Sequence, residues 1–429
     1  MTRDEWVCPI PKLIPIHQKF DGPMVENPRQ TAIDTVLSCS QVVSRIKPKN
    51  RVAIAVGSRG IRNVSKMVGG VVDALRRVGA NPFIVPAMGG HGGDDIDAKI
   101  SILAQLGVTE DSVGAPISRI VEVLKTGEIK DNIPGYCLKE VLSADAVILL
   151  NRIKSHTDFR GEIESGLIKM AAVGLGGTPG AQWIHEKGYD QLAHRVRAEG
   201  QTVLEVLPNC IGLAVTEGAT GATAYIEAIP KEEIFLQEPA LLRRARRLNP
   251  HLPIKNLDVL IVLEIGKDIS GIGLDPAVTG RYPSGRPYQD EDVPNIHRIV
   301  ALDLTGAALG NAAGIGFCDI TTRRLYNKTN FRVMYQNIID CKGSAAGRFP
   351  MVMESDREAI SVALLTSYRP PSELKIALIR NTSKLDYLLV SETLGTECKL
   401  AGAEKIRDPF DLCFEENGSL IWPACIPAG

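Results

Sequence analysis

The sequence has no excess of charge, no paired cysteines and no long apolar run, and each absence excludes a class of protein. Lys and Arg number 49 against 50 Asp and Glu, so the basic surface that binds nucleic acid through its phosphates is missing. The local run Arg243, Arg244, Arg246 and Arg247 reads as the solvated face of a helix. The nine cysteines are scattered, and no two have CxxC spacing. A zinc ribbon or a four-cysteine iron–sulfur cluster therefore has no support. An odd number of unpaired thiols fits a reducing compartment. No apolar stretch approaches the ~18 residues of a spanning helix, and the opening MTRDEWVCPIPKL lacks a signal peptide's apolar core. A cytoplasmic protein with neither membrane nor nucleic-acid partner is expected. GxGxxG, Walker A and HExxH spacings are absent, as are internal repeats, low-complexity tracts and a paired-carboxylate ligand set.

What remains is an ordinary globular composition, 44% hydrophobic and 23% charged over 429 residues, enough for two or three domains. Three short β-branched runs, 51–56, 82–86 and 146–150, are each followed by a polar or glycine-rich turn. After the first comes a helical pattern over 64–78, with Val64, Val68, Val71, Val72 and Leu75 on one face and Gly79 as its stop. Repeated strand, loop and helix predict parallel βαβ units, whose ligands bind beyond the carboxyl ends of the strands. Asn249-Pro250-His251-Leu252-Pro253 breaks the arginine-rich helix. Strand-like runs at 257–263, 298–304 and 375–379 then build a second block. The expected fold is α/β, with two α/β domains carrying parallel or mixed sheets and an active-site cleft between them. The first domain spans 1–250 and carries the catalytic residues; the second spans 255–405. A tail, 406–429, is expected to pack back on the first domain.

Chemistry concentrates at the strand ends of the first domain. His91 lies in Gly89-Gly90-His91-Gly92-Gly93, where glycine frees the backbone and lets a ligand approach closely. An imidazole there suits general acid–base work near neutral pH. The segment 151–188 holds His156, Arg160, Ser165-Gly166-Leu167-Ile168-Lys169, a glycine run at 174–180, and His185. Singly, each reads equally as a surface lysine, a plain loop or a solvated histidine. Together, two histidines flanking a lysine and a glycine loop within about thirty residues are harder to dismiss. Imidazole is also the commonest metal ligand, and Ni(II) accepts it alongside soft sulfur donors. Lys169 precedes Met170-Ala171-Ala172-Val173, an apolar setting that an unpaired ammonium would find costly.

These residues resemble the lactate racemase family. The likeness rests on the arginine-bearing turn 57–63, the glycine-flanked His91, and the His156…Ser165-Gly166-x-x-Lys169…His185 order. It covers roughly residues 50–190 and continues more loosely beyond. The resemblance implies a nickel-pincer nucleotide: a pyridinium mononucleotide whose thioamide and thiocarboxylate arms hold nickel through carbon and two sulfurs, supplied by separate biosynthetic enzymes. It further implies that Lys169 tethers this cofactor covalently, that Ser165 and Arg62 border it, and that His185 completes the nickel's square plane. His91 and His156 then flank the substrate as acid–bases. Arg62 would pair with substrate carboxylate or cofactor phosphate, and Lys267, in a strand-end loop of the second domain, is a second substrate contact. The chain departs from the family in three places. The Asp-x-x-Arg-Pro turn appears as Arg59-x-x-Arg62-Asn63, the gap from His156 to Lys169 is a few residues longer, and Gly92 follows His91 where arginine is common.

The implied activity is isomerisation at C2 of a 2-hydroxy acid. A histidine takes the hydroxyl proton while the C2 hydrogen leaves as hydride, and the planar 2-oxo acid is reduced again on its other face. The two enantiomers present their hydroxyls differently, so two bases are needed. A longer sugar acid or dicarboxylic hydroxy acid is an alternative substrate, given the open 89–93 loop. A cofactor-free binding protein of the same fold and a different metal-dependent enzyme are the readings from other classes. Neither substrate identity nor oligomeric state is legible.

Overall fold

Val- and Ile-rich runs alternate with amphipathic ones, and in the computed structural model, which describes residues 6–129, 133–283, 294–424 and 426–427, they build two α/β units. A middle unit takes residues 22–249, and a terminal unit takes 1–21 together with 250–429. The α/β expectation holds for both. The domain limits differ at each end of the chain. Strand β1 (Leu13–His17) belongs with the residues after 250, not with the segment that follows it.

The middle unit begins its sheet with β2 (Arg51–Val56) and β3 (Asn81–Pro86), adds a side hairpin of β4 (Val123–Ile129) and β5 (Ile133–Leu138), and completes the sheet with β6 (Ala146–Arg152), β7 (Cys210–Glu217) and β8 (Thr223–Pro230). The order is β3-β2-β6-β7-β8. The first four are parallel and β8 runs antiparallel on β7. The three strands expected at 51–56, 82–86 and 146–150 are thus parallel neighbours. Side chains alternate across β2: Val52, Ile54 and Val56 enter one core while Ala53 and Ala55 enter the other. A strand covered on both faces reads as an unbroken apolar run. The helix Val64–Arg77 covers one face with Val64, Met67, Val68, Val71, Val72 and Leu75, all buried. At about 1.5–3 kcal/mol for each fully buried large side chain, this stripe decides the packing. It ends at Val78, with Gly79 at φ 80°, as its sequence predicts.

The terminal unit carries β9 (Asn256–Ile265), β10 (Asn295–Leu304), β11 (Ile320–Thr322), β12 (Met351–Met353), β13 (Ile376–Asn381), β14 (Lys384–Ser391) and β15 (Glu404–Lys405). These form an eight-stranded mixed sheet ordered β12-β11-β10-β9-β13-β14-β1-β15. β1 lies antiparallel between β14 and β15, pairing Leu13 with Ser391 and Ile16 with Lys405. The tail, expected on the first domain, packs here instead. Phe410 and Leu13 exchange backbone hydrogen bonds of 3.0 Å, and the Leu420 N–H donates to the buried Asp356 carboxylate at 2.8 Å. Phe410, Leu412, Phe414, Leu420 and Trp422 cover an apolar core drawn from this unit. Apolar residues at every second position from Phe410 to Phe414, and again at Leu420 and Trp422, gave the tail something to bury.

Candidate functional site

The carboxyl ends of β2, β3 and β6 each run into one of the segments singled out by sequence. After β3 the chain turns through Gly89 (φ 58°), Gly92 (φ 81°) and Gly93 (φ 60°), left-handed positions that a side chain would strain. His91 is exposed at the turn's tip. Its loop is pinned from beneath by Lys99, only 5% exposed, whose ammonium donates to the carbonyls of Gly89 and His91 at 3.0 Å each. Desolvation, then the charges of Arg59 and Lys99, hold the His91 imidazole below its usual pKa. That shift favours the neutral imidazole, the form that can act as a base.

After β6 the chain loops through 153–165 and returns beside itself, Lys154 and Ser165 pairing through both backbone bonds. This is where Ser165 sits; what it contributes in the fold is that backbone pairing. The loop is organised by Glu164, which is fully buried. One carboxylate oxygen accepts the His156 backbone N–H at 2.7 Å, and the other accepts the Gly161 N–H at 3.0 Å and Arg246 at 2.6 Å. The arginine run therefore divides: Arg243 and Arg247 are exposed as expected, whereas Arg246 neutralises Glu164 and Arg244 pairs with Glu227. Buried charge persists only when paired and hydrogen-bonded, and Arg246 supplies that pairing.

His156 stacks on Phe159 with ring centroids 4.4 Å apart. Its Nδ1 accepts the Asp158 backbone N–H at 3.0 Å, and its Nε2 lies 2.5 Å from the Lys169 Nζ. Burial, then the charges of Lys169, Lys154, His185 and Arg59, hold His156 well below the ordinary histidine pKa. Burial likewise pulls the Lys169 ammonium down to about 8, with Arg59 acting in the same sense and Asp158 and Glu164 opposing. Lys169 ends a short helical turn, Leu167–Lys169, that passes directly into a π-helical turn, Met170–Gly174, a distortion common at functional sites. The turn's N-terminus is capped from a distance: Glu238, 1% exposed, accepts the Ile168 N–H at 3.0 Å. Burial pushes that carboxyl up to about 7 against the bonds from Ile168 and Leu167.

His185 closes the helix Gly177–His185, and its charge is felt at His156. His156, Lys169 and His185 thus share one electrostatic neighbourhood, and His91 joins it through Arg59, whose charge acts on His91, His156 and Lys169 alike. Arg62 takes a different place. Its backbone N–H donates to Glu217 at 2.7 Å and its carbonyl accepts from Thr223 at 3.3 Å, while the residue is exposed. Glu217 itself pairs with Arg152. Arg59, three residues earlier in the same turn, is the arginine electrostatically coupled to the histidines. Lys267 belongs to the terminal unit, where it donates to the Gly271 carbonyl of its own loop.

Sequence reading had missed Arg59 as a site cation, Lys99, Glu164 and Glu238. Glu164 lies inside the motif segment, next to Ser165-Gly166, and that position was the one visible signal. Glu238, some seventy residues from the turn it caps, left none.

Among the described residues no three His, Cys, Asp or Glu side chains converge to hold a metal ion, Cys8, Cys39, Cys137, Cys210, Cys318, Cys398 and Cys413 are free thiols, and no helix is long and apolar enough to cross a membrane. No family model matches the chain, and no curated protein matches it. Among solved structures it is similar to the lactate racemase apoprotein from Thermoanaerobacterium thermosaccharolyticum, at 10% identity and a TM-score of 0.44 over 87% of this chain and 89% of that one. A likeness that distant defines no activity, so the chemistry has to come from the side chains.

Proposed function

We propose that the chain is an isomerase that racemises or epimerises a 2-hydroxy acid at C2, working with a nickel-pincer nucleotide held at Lys169. The observation that carries this reading is the half-buried Lys169 amine 2.5 Å from His156, set among cations at the carboxyl end of a parallel sheet. A lysine depressed to about 8 by burial is a nucleophile at neutral pH, as a covalent tether requires.

The donor set fits such a group. His185, which ends the helix Gly177–His185 and is electrostatically coupled to His156, would offer an imidazole donor to the metal of such a group. When bound, the nucleotide supplies a reversible acceptor for the C2 hydrogen as hydride. The chain's own residues do the rest. His91 and His156, both depressed in pKa, move the hydroxyl proton, one for each enantiomer. Arg59 is better situated than Arg62 to hold the substrate carboxylate, since its charge already acts on both histidines. Cations around the site select an anionic substrate. Ser165, in its backbone pairing with Lys154, fixes where the Lys169 turn starts.

Co-expression with enzymes that make the pincer nucleotide is expected to add the cofactor mass to the Lys169 peptide. Lys169→Ala should remove both adduct and racemisation, and His185→Ala should lose nickel while keeping its circular dichroism. Active protein with unmodified Lys169 would overturn the tether. An absence of adduct together with tight binding of a 2-hydroxy acid would instead favour a binding protein.

A further inference from the structure

The contact between Lys169 and His156 has a direction, and the direction can be deduced. The His156 Nδ1 accepts a hydrogen bond from the Asp158 backbone N–H at 3.0 Å, so in the neutral ring the proton sits on Nε2. An Nε2–H that lies 2.5 Å from the Lys169 Nζ needs a lone pair opposite it. An ammonium has three donors and no lone pair; a neutral amine has one. The contact is therefore Nε2–H donating to a neutral Lys169 amine. The surroundings agree: burial is the largest cause lowering both groups; at His156 the charges of Lys154, His185 and Arg59 act in the same sense, and at Lys169 burial prevails over the opposing pull of Asp158 and Glu164.

We infer that His156 and Lys169 form an either–or pair, in which the amine occupies His156 until it is acylated and acylation then releases the imidazole to the substrate. This rests on the tether proposed above and sets the order in which the site assembles. An acylated lysine nitrogen has lost its lone pair to the carbonyl or thiocarbonyl and keeps a single N–H, so it is a donor only. The His156 Nε2 is also a donor, because Nδ1 is committed to Asp158. Donor faces donor, the bond is lost, and the imidazole N–H becomes available for a substrate oxygen. Before capture, in this contact, the nucleophile is a neutral amine and the acid–base group is occupied. After capture the acid–base group is free.

The test needs no cofactor. Cyanic acid carbamylates amines: a bond forms from Nζ to the cyanate carbon, one proton passes from Nζ to the cyanate nitrogen, and nothing is oxidised or reduced. On the purified full chain at pH 7.5, peptide mapping should show Lys169 reacting roughly tenfold or more faster than exposed Lys187, because far more of it is free amine. Ring-labelled histidine NMR, with the His156 signal assigned by its loss in His156→Gln, should show the unreacted ring protonated at Nε2. After carbamylation the Nε2–H should exchange with water at least about tenfold faster, and Lys169→Met, which removes the acceptor without reagent, should do the same. A ring protonated at Nδ1, a Lys169 that cyanate leaves untouched while Lys187 reacts, or an exchange rate unmoved by both carbamylation and Lys169→Met would each overturn the inference. None of these touches the cofactor adduct, whose absence would defeat the functional reading while leaving the amine–imidazole contact, and its release by acylation, to be decided by the measurements above.

Discussion

At the scale of single residues, the middle unit holds buried acids whose protons are bound more tightly than in water. Glu199, wholly buried on the helix Tyr189–Val206, is pushed up to about 9 by burial against the pull of Arg195. A carboxyl raised in the folded state stabilises the fold below its ordinary value near 4.5, and that contribution is lost as pH rises toward 9. Glu238, raised to about 7, acts in the same sense over a narrower window. Glu199→Gln keeps the shape and removes the ionisation. It is expected to melt higher than the parent at pH 8, on the order of 4 °C, with the gap closing toward pH 5. Thermal melts across that range decide it, and parallel pH curves would mean that Glu199 stays ionised. Nothing in the residue's sequence context signals this, because its burial comes from packing between the hairpin and the Lys169 turn.

At the scale of elements, the Lys169 turn is held by close packing as much as by its cap. The helix Tyr189–Val206 approaches it at Gly200, where a β-carbon would stand 2.5 Å from the Ile168 Cγ2 and 2.9 Å from the Ile168 carbonyl oxygen. Gly200→Ala must push the turn away, at a cost of about 1–3 kcal/mol, read as a lower urea midpoint. The same variant should slow carbamylation of Lys169, because the amine moves off His156. An unchanged midpoint would show that the helices can part freely. The elements themselves were largely legible: β2, β3, β6 and the helix Val64–Arg77 follow directly from apolar period and glycine stops, and the two-sided burial of β2 is written in its unbroken run. Of the candidate site, His91 and Lys169 stood out against glycine and apolar neighbours, and His156 and His185 because they flank Lys169 and the glycine run. The residues that hold them were not. Glu238 reaches the Lys169 turn across seventy residues, Lys99 acts on carbonyls rather than side chains, and Arg246 looked like a solvated face. Tertiary hydrogen bonds leave no period in a sequence.

At the scale of the whole molecule, each unit has its own interior. The three apolar cores of the middle unit draw only on residues within 22–249, and the two of the terminal unit only on residues outside that range. A fragment spanning 22–249 is therefore expected to fold alone, with a single cooperative urea transition and Lys169 as reactive toward cyanate as in the full chain. A fragment spanning 250–429 lacks β1 and is expected to aggregate until a peptide carrying residues 6–21 is supplied; a soluble, folded 250–429 would show that β14 and β15 close without it. Boundaries of this kind are hard to read from sequence, since a five-residue strand carries no mark of which distant partner it will find. The interleaving also has a consequence in time. Strand β1 is synthesised roughly 370 residues before its partner β14, a delay of ~20 to ~75 s at ordinary elongation rates. Throughout that interval the middle unit can finish folding while Leu13, Ile14 and Ile16 wait exposed with unpaired edges on both sides. The birth of this protein is thus timed by its slowest-arriving strand, and holdase chaperones that shield a nascent N-terminus should raise its yield more than agents acting after release.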